Sequence, residues 1–120
     1  MRSGRAAVAW LLAAIALSTA FVIAGVQPRV PSLLRPVPDD LLHGAAYLVL
    51  AFAVAQAGRL WGLRAWALLA LAWAVLHGAG LEVLQQYFPP RAAEWSDLGA
   101  DAVGALVGAG AAWVWSRVRR

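Results

Sequence analysis

Apolar residues fall in four long runs, at about 6–26, 41–57, 65–86 and 98–116, and polar residues collect almost entirely between them. Each run is close to the ~17–25 residues a helix needs to cross ~30 Å of hydrocarbon. Helix follows because a backbone in lipid must satisfy its own hydrogen bonds, and a barrel would need alternating strands. The Ala, Leu and Trp fill also suits helices better than β-branched strands. The connections differ. Gln27 to Asp40 carries Pro28, Pro31, Pro36 and Pro38 and reads as an extended, irregular loop. Gly58 to Arg64 is short enough to make the second and third helices an antiparallel hairpin. Pro89-Pro90 stops the third helix. The predicted fold is all-α, a four-helix transmembrane bundle forming a single domain over 1–120.

Composition strengthens this reading. Of 120 residues, 62% are hydrophobic and 13% charged, too few to coat a small soluble domain with polar surface. All ten basic residues are arginines and the net charge is +4, but the arginines sit at the ends of apolar runs rather than along one stripe. That pattern indicates control of topology and no nucleic-acid partner. Arg2, Arg5, Arg59, Arg64, Arg117, Arg119 and Arg120 fall on the side that holds both termini, against Arg29, Arg35 and Arg91 on the other. The positive-inside rule then predicts that both termini are cytoplasmic. Ser18-Thr19-Ala20 resembles a signal-peptide cleavage site, yet the apolar run continues through Phe21, Val22 and Ile23, so the first span is expected to be retained. With no cysteine, disulfides, thiolate metal sites and cysteine nucleophiles are excluded.

On this topology the unusual polar groups gather at the outer face: Asp39, Asp40, His43, Tyr47, Glu82, Gln85, Gln86, Arg91, Glu94, Ser96, Asp97 and Asp101. Several have simpler readings. Asp39 or Asp40 suits an N-cap of the second helix, and Ser96 or Asp97 an N-cap of the fourth. His43 and Tyr47 fit interfacial roles, and His77, near mid-helix, fits a packing histidine that hydrogen-bonds across helices. Glu82 and Asp101 are harder to place, because an acid inside an apolar run costs roughly 2.5–3.5 kcal/mol at mid-helix and usually faces a bundle interior or wet cavity. His43 and Tyr47, Glu82 and Gln86, and Asp97 and Asp101 are four apart, so each pair shares a helix face. Ala100, Gly104, Gly108 and Ala112 make a small-residue ridge. It would serve close packing, either within the chain or in a homo-oligomer through Gly104 and Gly108.

The stretch from Asp39-Asp40 through His43 to Tyr47 resembles the D-K-x-x-H-x-x-x-Y opening of the VanZ-like membrane proteins. Glu82-Val-Leu-Gln85, Phe88-Pro89-Pro90-Arg91 and Ser96-Asp97 through Asp101 to Gly104 are similar to that family's E-x-x-Q, P-G-R and D-x-x-x-N-x-x-G elements. Asp40, Pro90 and Asp101 depart from it, standing where the family has lysine, glycine and asparagine. The resemblance implies a compact helical protein of the bacterial inner membrane, in a family named for a member linked to glycopeptide-antibiotic (teicoplanin) resistance. Two functions are carried forward. In the first, an outer-face pocket of His43, Tyr47, Glu82, Gln85, Arg91, Asp97 and Asp101 binds membrane lipids or a lipid-linked cell-envelope precursor, Arg91 pairing with phosphate. In the second, a membrane-embedded hydrolase or transferase has His43, Glu82 and Asp97 as candidate catalytic groups, His43 as acid or base and the two acids orienting it or a metal. Neither a lipid-phosphatase motif nor a serine-nucleophile motif is present, and no metal or cofactor is expected.

Overall fold

A computed structural model describes residues 2–28, 30–89 and 94–119. It contains four helices: α1 (Arg2–Gly25), α2 (Asp39–Leu60), α3 (Trp66–Gln85) and α4 (Trp95–Val118). Each is long and apolar enough to cross a membrane. At 1.5 Å per residue, their 20 to 24 residues span about 30–36 Å. The helices extend two or three residues beyond several of the apolar runs, because polar residues at a helix end cost nothing once they reach the interface. Large apolar side chains such as Leu12, Ile15, Leu68, Leu76, Val103 and Leu106 point outward. The interior is largely alanine, including Ala51, Ala55, Ala70, Ala74, Ala105 and Ala112. This inversion of the soluble pattern suits lipid as solvent, where wide side chains would face the tails and small ones let helices approach.

Helix α2 is the hub and lies against the other three. Its pairing with α4 is the closest, and there the ridge finds its partner. A Cβ on Gly104 would collide with the Gly44 carbonyl, and one on Gly108 with the Leu48 carbonyl. Because 44 meets 104 and 48 meets 108, α2 and α4 run parallel. Both glycines therefore meet α2 within the chain, which is one of the two contacts expected of the ridge.

The α2–α3 hairpin closes with a Schellman motif. Gly62 takes φ +79°, its N–H bonds the Arg59 carbonyl, and the Leu63 N–H bonds the Gly58 carbonyl, both at 3.0 Å. Only glycine adopts that backbone without strain. The proline-rich connection is not extended as expected. The Leu34 N–H bonds Pro31 O at 2.9 Å and the Val37 N–H bonds Leu34 O at 3.0 Å, folding it into consecutive turns. Prolines fix φ at values that turns also use, so their density alone did not decide between the two.

Helix α1 runs unbroken through Ser18-Thr19-Ala20 and ties to α3 there. The Trp73 indole donates to Ser18 Oγ at 3.1 Å, and His77 Nε2 donates to the Ser18 carbonyl at 2.8 Å. A carbonyl only accepts, so the His77 proton is on Nε2, and the Tyr47 hydroxyl donates to Nδ1 at 2.8 Å. His77 thus joins α1, α2 and α3 through one ring.

Candidate functional site

The three helix ends that meet above this tether carry the acids. His43 lies in the second turn of α2, after Pro38 has set the N-terminus. Neither Asp39 nor Asp40 caps α2 through its side chain, contrary to expectation; Pro38 occupies that position. Likewise α4 begins at Trp95 with Glu94 as its N-cap residue and no side-chain cap, so Ser96 and Asp97 lie within the first turn. Freed from capping, Asp97 turns inward with Asp101, one turn further along the same face.

The two acids hold opposite sides of one imidazole. His43 Nδ1 is 2.9 Å from Asp101 Oδ1, and Nε2 is 3.5 Å from Asp97 Oδ2. Glu82, fully buried near the end of α3, accepts the Glu94 backbone N–H on Oε2 at 2.8 Å. One carboxylate thereby pins the start of α4 and places negative charge near its N-terminal dipole. One ligand atom each from His43, Glu82 and Asp101 lie within 4.8 Å of one another, and a second such trio is Asp39, His43 and Asp97.

The cluster is incompletely satisfied. Glu82 Oε1, Asp97 Oδ1 and Asp101 Oδ2 are buried with no hydrogen-bond partner among the described residues. No arginine of the described residues lies within ion-pair distance of them; the ion pairs there are those of His43. Three carboxylates and one imidazole in a water-poor place call for a cation, for protons or for a donor-rich ligand. The site can therefore accept hydrogen bonds and positive charge, but by itself it offers little to an anion.

Beside the cluster lies a cavity of about 240 Å³ between α1, α2, α3 and the proline-rich turns. Phe21, Ala24, Val30, Leu34, Ala46 and Leu81 give it apolar walls, while His43, Asp39 and Gln85 stand on its lining. The Tyr47 ring also lines it, but its hydroxyl is committed to His77 and does not join the cluster. Gln85 is committed too, its Nε2 donating to the Gly25 carbonyl at 2.9 Å and tying α3 to α1. Arg91, expected as the phosphate partner, lies outside the described residues, as does Pro90. The structure thus brings His43, Glu82, Asp97 and Asp101 together and assigns the polar groups of Tyr47 and Gln85 to helix ties.

Gly78 and Gln56 escaped the sequence reading, and Asp39 has a different role from the cap expected of it. Gly78 faces Asp101, and a Cβ there would lie 2.5 Å from Asp101 Oδ2. A glycine in mid-helix opposite an acid-bearing run was the available signal. Gln56 is buried in α2 and accepts two hydrogen bonds from Arg59, at 3.0 and 2.8 Å, a pairing readable from its i, i+3 spacing. Asp39 reaches the rim of the cluster instead of serving as a cap. The opposite end of the bundle is basic: Arg59, Arg64, Arg117 and Arg119 surround Trp66 and Trp113, with Arg117 stacked 4.8 Å above the Trp113 ring.

Comparison with known protein families, with characterised proteins and with solved structures finds no match to this chain.

Proposed function

We propose that this chain is an inner-membrane lipid-binding protein whose acid-bearing end faces outward. It would hold the headgroup of a membrane lipid or a lipid-linked envelope precursor at the His43 cluster, with part of the tail in the adjoining cavity. The observation that carries the reading is the juxtaposition of an apolar cavity with buried, unpartnered carboxylate oxygens around His43. An amphiphile matches both halves. Its hydroxyl or amine donors satisfy oxygens that would otherwise stay orphaned, and its chain fills space that water occupies poorly. The likeness to VanZ-like proteins supports the same cell-envelope setting, and Arg91 remains the proposed phosphate partner.

A substitution that fills the cavity tests this directly. Ala24 is exposed on α1 and lines the cavity, so Ala24→Trp puts a large side chain into it from its open side. Native mass spectrometry of the full chain in nanodiscs is expected to show a co-purified amphiphile on the wild type and loss of that species in Ala24→Trp. Equal retention by both would remove the cavity from the proposal.

The enzyme reading has one observation in its favour, an imidazole oriented by two carboxylates, which is the geometry of a base and its positioning groups. Conversion of the retained lipid by wild type and not by His43→Gln would establish it.

Orientation follows in the proposal from the arginine-rich end lying in the cytoplasm, where Arg and Trp suit anionic headgroups. Reporter fusions after Arg120 should read cytoplasmic and those near Arg35 periplasmic; the reverse would invert the site.

A further inference from the structure

We propose that His43, Glu82 and Asp101 form a binding site for one divalent first-row transition-metal ion, of the Zn²⁺ or Mn²⁺ class. From the sequence no metal is expected, and the set weighed as an alternative is His43, Glu82 and Asp97. The fold brings Asp101 into the trio instead. Ligand atoms of the three lie within 4.8 Å of one another. Donors bound at ~2.1 Å to one ion sit about 3–4.2 Å apart, so small rotations of side chains complete the shell.

A cluster of acids alone would prove little, since such clusters are common. Here the state of the acids points to a ligand. Glu82 and Asp101 are 0% and 1% exposed, and each keeps one oxygen, Oε1 and Oδ2, without a partner among the described residues. Gly78 makes room for the Asp101 carboxylate itself, since a Cβ there would lie 2.5 Å from Oδ2. The imidazole is held as ligating histidines are. Asp101 stands at Nδ1, on the side of the inner trio, while Asp97 faces Nε2, where a carboxylate fixes the ring and its tautomer. The donor set selects the ion: an imidazole with carboxylates suits Zn²⁺ or Mn²⁺, whereas Mg²⁺ prefers oxygen and retains its water. Two carboxylates and a neutral imidazole balance a dication, so binding neutralises the trio and leaves the Asp97 charge alone in the cluster.

This site does not rest on the lipid reading, though it draws on the same oxygens: an ion can bind while the cavity stays empty, and a headgroup would then meet the ion and Asp97 in place of bare carboxylates. The full chain, purified in detergent and stripped with chelator, is titrated with Co²⁺ as a visible-absorption probe and then with Zn²⁺ and Mn²⁺. One ion per chain is expected, with Co²⁺ bands displaced by Zn²⁺ and unaffected by equal Mg²⁺. His43→Gln should abolish the bands. Glu82→Gln and Asp101→Asn should each weaken binding more than about tenfold, and Asp97→Asn about 10–100-fold. Asp40→Asn, on an exposed residue, should change nothing. Thermal unfolding of the wild type gives a readout that needs no variant: Zn²⁺ should raise Tm and chelator should reverse it. Absence of both Co²⁺ bands and a Tm shift overturns the proposal. Binding that is lost in Asp39→Asn but survives Glu82→Gln and Asp101→Asn also overturns it, placing the ion at the rim.

Discussion

Gly104→Leu is expected to destroy the folded bundle. The Gly104 Cα faces the Gly44 carbonyl so closely that even a methyl group cannot be placed, and the obstacle is backbone, which no rotamer change can move. Leucine would force α2 and α4 apart along the pairing that holds the core together. Overpacking in cores costs about 1–3 kcal/mol where side chains can yield, and here the cost should exceed about 3 kcal/mol. Gly108→Leu, set against the Leu48 carbonyl, should behave alike. Gly110 has open space around its Cβ position, so Gly110→Leu should stay within about 0.5 kcal/mol of wild type. Unfolding in mixed micelles by increasing SDS fraction measures all three. Equal midpoints for Gly104→Leu and Gly110→Leu would contradict the close α2–α4 pairing.

That pairing illustrates how far the sequence could be read. Four helices were legible because predominantly apolar runs of 17 or more residues admit few other structures, and arginine, proline and acid marked their limits. The ridge from Ala100 to Ala112 was legible as a surface that wants a close neighbour. Its neighbour was not, because the facing groups on α2 are backbone carbonyls at Gly44 and Leu48, which every residue carries. Composition is silent about which carbonyl a glycine meets. The proline-rich connection failed for a related reason: each proline fixed a φ, while the turns depend on hydrogen bonds such as Leu34 to Pro31.

The site was legible by residue and only partly by role. Charge asymmetry separated the acid-bearing end from the arginine end, and the cost of an acid in an apolar run singled out Glu82 and Asp101. Capping rules misassigned Asp97, because α4 starts at Trp95, earlier than its apolar run. Tyr47 and His43 share a helix face but serve different partners, since one turn of depth carries the Tyr47 hydroxyl down to His77 and leaves His43 beside Asp101. Residue spacing fixes direction around a helix, whereas partner choice depends on how deep the neighbouring helices place their own polar groups.

Glu82→Gln is expected to abolish ligand retention while leaving the bundle as stable as wild type or more so. The two effects separate because the carboxylate has two oxygens with different work. Oε2 accepts the Glu94 N–H, and a glutamine carbonyl can accept that bond at the same place, so the start of α4 stays pinned. Oε1 is buried and unpartnered among the described residues, near the like charge of Asp101. Replacing it with an amide N–H₂ substitutes a donor for an acceptor in a region short of donors and removes one buried charge. An uncompensated buried charge is costly, so neutralising it relieves a desolvation penalty. A protein that keeps such a group against its own stability is using it, and the trade of stability for activity is the usual reason. The expected result is an SDS-unfolding midpoint at or above wild type, together with at least a tenfold loss of the co-purified amphiphile by native mass spectrometry. Glu82→Leu supplies the contrast, since it also deletes the Glu94 bond and should lower the midpoint by about 1–3 kcal/mol. If Glu82→Gln instead unfolds the bundle as Glu82→Leu does, the carboxylate belongs to the fold, and the functional role argued for it falls.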